Sequence, residues 1–374
     1  MKHPTISYLC NVQYGPGSRE DLTGLLSQLN ITRPLLVTDE GIMAAGIPDQ
    51  LPAKSTALFS GIESNPSEES VLAGLDAYRA NDCDGIIALG GGSPIDCAKC
   101  ISLLATHEGT LESYAFAYGG HLKITANKPP LIAIPTTAGT GTEVGRAGLV
   151  TMSSGSKLAI VSAHLYPDWS ICDAELTLGL PPSLTAATGM DAVSHCIETY
   201  CSPRYNPVAD AIAIDGLVRA VNNIRSAYRD GTNIEARCEM MMAATQGALS
   251  FAKGLGAVHA VSHPLGALKD RRLHHGTLNA VLMPHVIRFN VGTIESRIND
   301  MTNALGIPSG ADSFCTFLNQ LLDDLELPHS LGDMGVIDSD LSHIPEAALI
   351  DHCAATNPRE MTLENTAQLL RDSL

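Results

Sequence analysis

The apolar positions of the chain keep two rhythms, and the change from one to the other comes at Pro181-Pro182. Before it, short unbroken apolar runs alternate with longer stretches in which apolar residues recur every three or four positions. PLLV within RPLLVTDE (residues 33–40), GIIAL (85–89) and LIAI (131–134) are too short for helices and too continuous for a half-wet strand. They read as buried strands of a parallel sheet. Between the first two, SNPSEESVLAGLDAYRA predicts a helix with Ser67 as cap, Glu68 and Glu69 in its first turn and Val71, Leu72, Leu75 and Tyr78 on its apolar face. After the second, Ser93-Pro94 opens an amphipathic helix on which Ile95, Ala98, Ile101 and Leu104 can pack. Beyond Pro181-Pro182 strand-like runs almost vanish, and patterns such as ADAIAIDGLVRAVNNI and ARCEMMMAATQGALSFA take over. The pattern predicts an α/β domain with a mostly parallel sheet over residues 1–181 and an all-helical domain over residues 182–374.

The strand ends of the first half carry candidate chemistry. Asp39 closes the first run, where an acid can accept hydrogen bonds from ribose hydroxyls and repel a 2′-phosphate; a surface Asp in a turn reads equally well from this stretch alone. In DGIIALGGGSPIDCAK the glycines Gly90, Gly91 and Gly92 let the backbone turn tightly into the following helix, whose free N–H groups and dipole face an anion. A pyrophosphate is the natural guest, although the spacing is neither GxGxxG nor a Walker loop. PTTAGTGTEV then sets hydroxyls and backbone amides beside whatever that turn holds. Cys97 and Cys100 form a CxxC, but no second CxxC completes a metal site, and the pair reads as ordinary helix residues.

The helical half carries a different signal. In GMDAVSHCIE, Asp191 and His195 stand four apart, so on a helix both side chains leave one face one turn apart. His259 and His263 repeat that spacing in GLGAVHAVSHPLG, and His274 and His275 follow in LHHGTLNAV. Singly, each His reads as a satisfied core residue; together they form a ligand set. One carboxylate with several neutral imidazoles and no Cys at ligand spacing suits Fe(II), Zn(II) or Co(II) in a catalytic rather than a closed structural site.

Composition narrows the partners. The 374 residues are 45% hydrophobic, enough for two buried cores, and the formal charge is −17 with no basic run. Nucleic-acid and anionic-membrane binding both need Lys and Arg against phosphate, so small molecules are the expected partners. No stretch reaches the uncharged length needed to span a bilayer and the first residues lack a signal-peptide core, which makes the cytoplasm the expected compartment. Ten scattered Cys in a chain of this size are expected to be reduced thiols.

With GGGSPIDCAK, PTTAGTGTEV, GMDAVSHCIE, GLGAVHAVSHPLG and HHGTLNAVLMP in this order, the chain resembles the iron-containing (group III) alcohol dehydrogenases over nearly its whole length. The resemblance implies an NAD-binding domain of the dehydroquinate-synthase-like type and a helical domain that holds Fe(II) or Zn(II). Carried over by motif, the metal ligands are Asp191, His195, His259 and His275, with His263 as a proton-relay residue. His275 is preferred to His274 because it directly precedes a Gly with Asn three residues further on. The same carry-over gives Gly91, Gly92 and Ser93 to the pyrophosphate, Thr136 and Thr137 to the cofactor beside it and Asp39 to the adenosine ribose, with Asn65 and Lys157 near the cofactor. Arg146 stands where simple alcohol dehydrogenases have a small or polar residue, and the segment between His263 and His275 is long and carries Lys269, Arg271 and Arg272.

The combination of EVGRAG, KGLGAVH and LHHGTLNAV looks most like the 4-hydroxybutyrate dehydrogenases. The expected reaction is therefore hydride transfer between NAD(H) and a small ω-hydroxy acid or its semialdehyde. Arg146 is the expected anchor for the far carboxylate, and Lys253, Arg271 and Arg272 are lesser candidates. A general short-chain alcohol or diol dehydrogenase is the alternative, and a metal-dependent hydrolase or lyase, which needs no nicotinamide, the third. A homodimer is the expected assembly.

Overall fold

Alternate residues of three short runs feed two different hydrophobic cores, which is why the runs are apolar throughout. In a computed structural model, which describes residues 10–268, 271 and 273–374, these runs are β2 (Pro34–Val37), β4 (Gly85–Gly90) and β5 (Leu131–Pro135). Leu35, Val37, Ile86, Ala88, Leu131 and Ala133 point to one core. Leu36, Ile87, Leu89, Ile132 and Ile134 point to the other. With β1 (Asn11–Tyr14), β3 (Ala57–Phe59) and β8 (Trp169–Cys172) they form a six-stranded sheet in the order β1-β8-β5-β4-β2-β3, parallel at every pairing. A separate antiparallel hairpin joins β6 (Ala147–Thr151) to β7 (Lys157–Val161).

One face of the sheet is covered by α1 (Leu22–Gln28) through Leu22, Leu25 and Leu26. The short α2 (Glu40–Ala44) follows β2. The other face is covered by α3 (Glu68–Ala80) and α4 (Gly92–Leu104). Ser67 caps α3 as its position predicts, accepting from Ser70 N, while Leu72 corrects the expected apolar face, being 46% exposed. The buried stripe of α3 runs through Val71, Gly74 and Leu75, and Leu72 lies about 100° round the helix from Val71. Gly74 belongs to that stripe because a Cβ there would come within 2.4 Å of Ile101 Cδ1 on α4.

The helix α4 is not amphipathic, as its spacing had suggested, but buried from Pro94 to Leu104. Its second side is covered by the β6–β7 hairpin, which the apolar pattern does not reveal because alternate residues of β6 are only half-buried. The contact is polar as well as apolar. Lys99 Nζ, fully buried, donates to Thr142 O at 2.7 Å, Thr142 Oγ1 at 2.7 Å and Ala147 O at 2.8 Å. Asp96 accepts from Thr142 Oγ1 at 2.5 Å and from Leu149 N at 3.0 Å. Cys97 and Cys100 lie in this packing; burial, with the charge of Asp96 adding to it, pushes the Cys97 thiol up to about 12. They are packing residues, as the sequence suggested.

Compact packing divides the chain between Gly179 and Leu180. The helical unit comprises α5 (Pro182–Cys201), α6 (Pro207–Arg229), α7 (Ile234–Leu249), α8 (Ala257–Gly266), α9 (His275–Leu305), α10 (Ala311–Asp324), α11 (Ile344–Ile350) and α12 (Leu363–Asp372). Its centre is α5, which is buried almost throughout. Glycines let the neighbours approach: a Cβ on Gly189 would meet Ile224 Cδ1 at 2.7 Å, and one on Gly247 would meet His195 Cβ at 3.0 Å. No helix among the described residues is long and apolar enough to cross a membrane.

Candidate metal centre and cofactor loop

The helix α5 presents Asp191, His195 and Glu198 at intervals of four and three, one stripe of a single helix face. The N-terminal part of α8 supplies His259, and the first residue of α9 is His275. These elements bring three imidazoles to one carboxylate oxygen. Nε2 of His195, His259 and His275 stands 3.4, 3.7 and 3.6 Å from Asp191 Oδ1. Such separations are too long for hydrogen bonds. They match the spacing of ligands on a shared ion, since atoms about 2.1 Å from a metal in tetrahedral array lie about 3.4 Å apart. Ligand atoms of Asp191, His195 and His259 all fall within 4.8 Å of one another.

The electrostatics fit a cation. Burial alone would raise the carboxyl of Asp191, but the imidazoles of His195, His275 and His259 hold it well below the usual carboxylate range. Burial likewise works against a charged His259, yet the carboxylates of Asp191 and Glu198 push its imidazole up to about 9. The cluster thus draws positive charge to its centre, a charge that a divalent ion would supply in place of protons on the nitrogens.

Three residues to which the sequence assigned no role at the centre complete it. Glu198 Oε2 lies 2.6 Å from His259 Nδ1, and Glu198 Oε1 accepts from Val258 N at 2.7 Å. Its signal was the stripe it shares with Asp191 and His195. Asn279, one turn beyond His275 on α9 and fully buried, donates from Nδ2 to Asp191 Oδ1 at 2.7 Å. Asp351 Oδ2 lies 2.8 Å from His263 Nδ1. Burial would raise Asp351, but His263 beside it keeps its carboxyl well below the ordinary range, so the carboxylate accepts from Nδ1–H. No local pattern could have joined residues 88 positions apart. His263 itself is buried on α8, stacked on His275 at a ring separation of 5.5 Å. His274 occupies the N-cap position of α9, exposed and without a side-chain capping hydrogen bond.

Gly276 explains the glycine that follows the last imidazole. A Cβ there would lie 2.1 Å from Ala187 O, so only glycine lets α9 start against α5 and carry His275 to Asp191.

In the α/β unit the glycine turn follows β4. Gly90 has φ 147°, and a Cβ there would meet Pro94 Cγ at 2.6 Å. Gly91 occupies the cap position of α4 with no side-chain cap, so the first N–H groups of the helix are left for a ligand. A Cβ on Gly91 would come within 3.2 Å of Thr137 Oγ1, and one on Gly92 within 2.9 Å of Thr140 Oγ1. The two loops therefore meet, as the sequence suggested. Ser93 Oγ accepts from Asn65 N at 3.2 Å, Asn65 has φ 62°, and Lys157 Nζ donates to Asn65 Oδ1 at 2.8 Å. Thr136 Oγ1 and Thr38 Oγ1 are buried without a hydrogen-bond partner where β5 and β2 end. Asp39 follows Thr38 and caps α2, its Oδ1 accepting from Ile42 N at 2.9 Å.

Arg146 lies exposed at the start of β6, and its side chain makes no hydrogen bond or ion pair among the described residues. The structure corrects two of its suggested helpers. Lys253 is fully buried, its Nζ bound to Asp210 and to Tyr200 O at 3.0 Å. Arg271 is paired with Asp340 at 3.0 Å. Lys269 and Arg272 lie outside the described residues.

Unspent hydroxyls at the carboxyl edge of a parallel sheet suit a nucleotide, and a nitrogen-rich anionic cluster suits a divalent ion. Those features put the chain in the class of metal-dependent enzymes that work with a nucleotide. Comparison narrows the class: residues 11–174 match the model of iron-containing alcohol dehydrogenase, and residues 185–374 match that of the Fe-containing alcohol dehydrogenase family, C-terminal. The chain belongs to the iron-containing alcohol dehydrogenase family.

It is 46% identical over 380 residues to the 4-hydroxybutyrate dehydrogenase of Cupriavidus necator, with 99% of each chain covered. It is 31% identical to the NAD-dependent methanol dehydrogenase of Bacillus methanolicus, covering 96% of this chain and 97% of that one. A crystal structure of 1,3-propanediol oxidoreductase superposes with a TM-score of 0.93 at 36% identity, covering 99% of this chain and 100% of that one.

Proposed function

We propose that the protein is an NAD-dependent, Fe(II)-dependent dehydrogenase of a short ω-hydroxy acid such as 4-hydroxybutyrate, interconverting it with the semialdehyde. The observation that carries the reading is the convergence of three imidazole nitrogens on Asp191 Oδ1. Asp191, His195, His259 and His275 would hold the ion, and the same donors would accept Zn(II). When bound, the ion supplies Lewis acidity that lowers the pKa of the substrate hydroxyl. The nicotinamide supplies the hydride acceptor.

The remaining work belongs to side chains of the protein. Glu198 orients His259 so that Nε2 is its free ligand nitrogen. Asp351 holds His263 with the proton on Nδ1, which leaves Nε2 to take the hydroxyl proton through a water or a ribose hydroxyl. Gly91, Gly92 and Ser93 hold the pyrophosphate with backbone amides, and Thr136 and Thr137 contribute hydroxyls beside it. Asp39 takes the adenosine ribose through the carboxylate oxygen that its cap leaves over. Asn65 and Lys157 form a linked pair next to Ser93 on which the cofactor rests. Arg146 anchors the substrate carboxylate, its guanidinium offering two parallel donors.

Family membership places the chain among oxidoreductases and sets the hydrolase and lyase alternatives aside. The similarity to 1,3-propanediol oxidoreductase supports the second reading, a general short-chain alcohol or diol dehydrogenase. The two part on one comparison: kcat/KM with NAD+ for 4-hydroxybutyrate against 1-butanol, in the native protein and in Arg146→Ala. A preference for the hydroxy acid that Arg146→Ala removes supports the anchor. A native preference for butanol, or equal losses on both substrates, supports the general dehydrogenase. The proposed setting is the cytoplasm and the proposed assembly a homodimer, which sedimentation at micromolar concentration would test.

A further inference from the structure

The amide of Asn279 stands where three helices meet. Its Nδ2 lies 2.7 Å from Asp191 Oδ1 on α5, 3.2 Å from His259 Nε2 on α8 and 3.1 Å from His275 Nε2 on α9. Its Oδ1 is buried and has no hydrogen-bond partner. The side chain is fully enclosed, so no bulk water compensates that oxygen. A half-turn of the amide exchanges the two atoms at almost no change of shape. It would then press an oxygen against the Asp191 carboxylate at the distance now held by an N–H. The carboxylate therefore fixes the orientation, and the idle oxygen is its cost.

An amide nitrogen has two hydrogens, and one carboxylate oxygen and two imidazole nitrogens surround it here. The bond to Asp191 is the shortest of the three. It is also the one that outlives occupation of the centre, because an imidazole Nε2 has a single lone pair and a carboxylate oxygen has two. We propose that Asn279 is a positioning residue for the metal centre: its N–H pins Asp191 Oδ1 at the point on which the imidazoles converge, and so sets the affinity for the ion. The inference rests on the metal centre proposed above. It also gives a reason for the Asn four residues after His275, since that interval returns the side chain to the same face of α9.

The test uses the full chain stripped of metal and titrated with Co2+ against a competing chelator, as wild type, Asn279→Leu and Asn279→Asp. Leucine keeps the volume without a donor or a charge; aspartate keeps the shape but replaces the N–H by an oxygen. Both variants are expected to lose about 10- to 100-fold in Co2+ affinity, the usual effect of removing a group that holds a ligand. The melting temperature of the stripped Leu variant, kept within a few degrees of wild type, separates this loss from a general loss of structure and covers an Asp variant that does not fold. Co2+ bound as tightly by Asn279→Asp as by wild type, or more tightly, would make the position a direct ligand site and overturn the proposal. Unchanged affinity in Asn279→Leu overturns it as well. A wild-type chain that takes up no Co2+ overturns the metal centre itself, an outcome distinct from the other two.

Discussion

Glu198 and His259 are joined at 2.6 Å, Oε2 to Nδ1, while the other imidazole nitrogen faces Asp191 at 3.7 Å. The pair lies fully inside the helical unit, with side chains 4% and 2% exposed, so solvent does little to weaken it. A carboxylate behind a ligand imidazole fixes its tautomer and raises its basicity. Glu198→Gln should therefore bind metal about 10- to 100-fold more weakly than the native chain. Equilibrium dialysis against Zn2+ reads this directly, and wild-type affinity in the variant would show that the pair only packs.

Gly276→Ala should damage the same centre without touching a donor atom. The added methyl would sit 2.1 Å from Ala187 O, and backbone on α5 cannot turn aside as a side chain can. Forcing the start of α9 away from α5 is expected to cost at least the 1–3 kcal/mol typical of overpacking, and to draw His275 off Asp191. The melting temperature and the metal content should fall together. A full equivalent of metal in a destabilised Gly276→Ala would separate the helix contact from the site.

The sheet, the helical half and the pairs Asp191/His195 and His259/His263 were legible because each rests on local spacing: short apolar runs, or His and Asp four apart on a helix. The choice of His259 over His263 and of His275 over His274 came from the resemblance to the family. What stayed hidden depends on distant partners. The β6–β7 hairpin could not be read, and with it the burial of Asp96 and Lys99 on a helix that looked amphipathic, since the covering residues lie some fifty positions away. Asp351 carries no pattern of its own, and its role rests on folding 88 residues back to His263. Lys253 is a lesser candidate for the substrate carboxylate in the sequence, and its partner Asp210 on α6 lies 43 positions away.

Asp84 makes the α/β unit sensitive to acid. It accepts from Thr32 N and Arg33 N at 3.0 and 2.7 Å and from Thr32 Oγ1, tying the starts of β2 and β4. Burial opposes ionisation, but the hydrogen bonds from Thr32 and Arg33 outweigh it and lower the carboxyl. A group whose folded pKa is depressed stabilises above its unfolded value, about 3.9 for Asp, and that contribution is lost as pH falls through the folded value. Asp84→Asn should thus lower the melting temperature at pH 7 and lower it progressively less below about pH 4. A gap that stays constant from pH 7 to pH 3 would assign the effect to lost hydrogen-bond geometry rather than charge.

Asp39 serves two ends, and one substitution separates them. Asn caps a helix as well as Asp does, so Asp39→Asn should keep α2 in place while removing the charge that a 2′-phosphate would meet. The preference for NAD over NADP, measured as the ratio of kcat/KM values, should fall in the variant with little change in melting temperature. Equal use of both cofactors by the native protein would remove Asp39 as the source of selectivity.

One divalent ion held by Asp191, His195, His259 and His275 is the core of the proposed function, and elemental analysis of the purified protein measures it. The native chain and His274→Ala should each carry a full equivalent of metal, because His274 is exposed at the N-cap position of α9 whereas His275 Nε2 lies 3.6 Å from Asp191 Oδ1. His275→Ala, with its nitrogen removed from beside Asp191, should lose most of it. Metal kept in full by His275→Ala but lost from His274→Ala would contradict the ligand set, and with it the proposed centre.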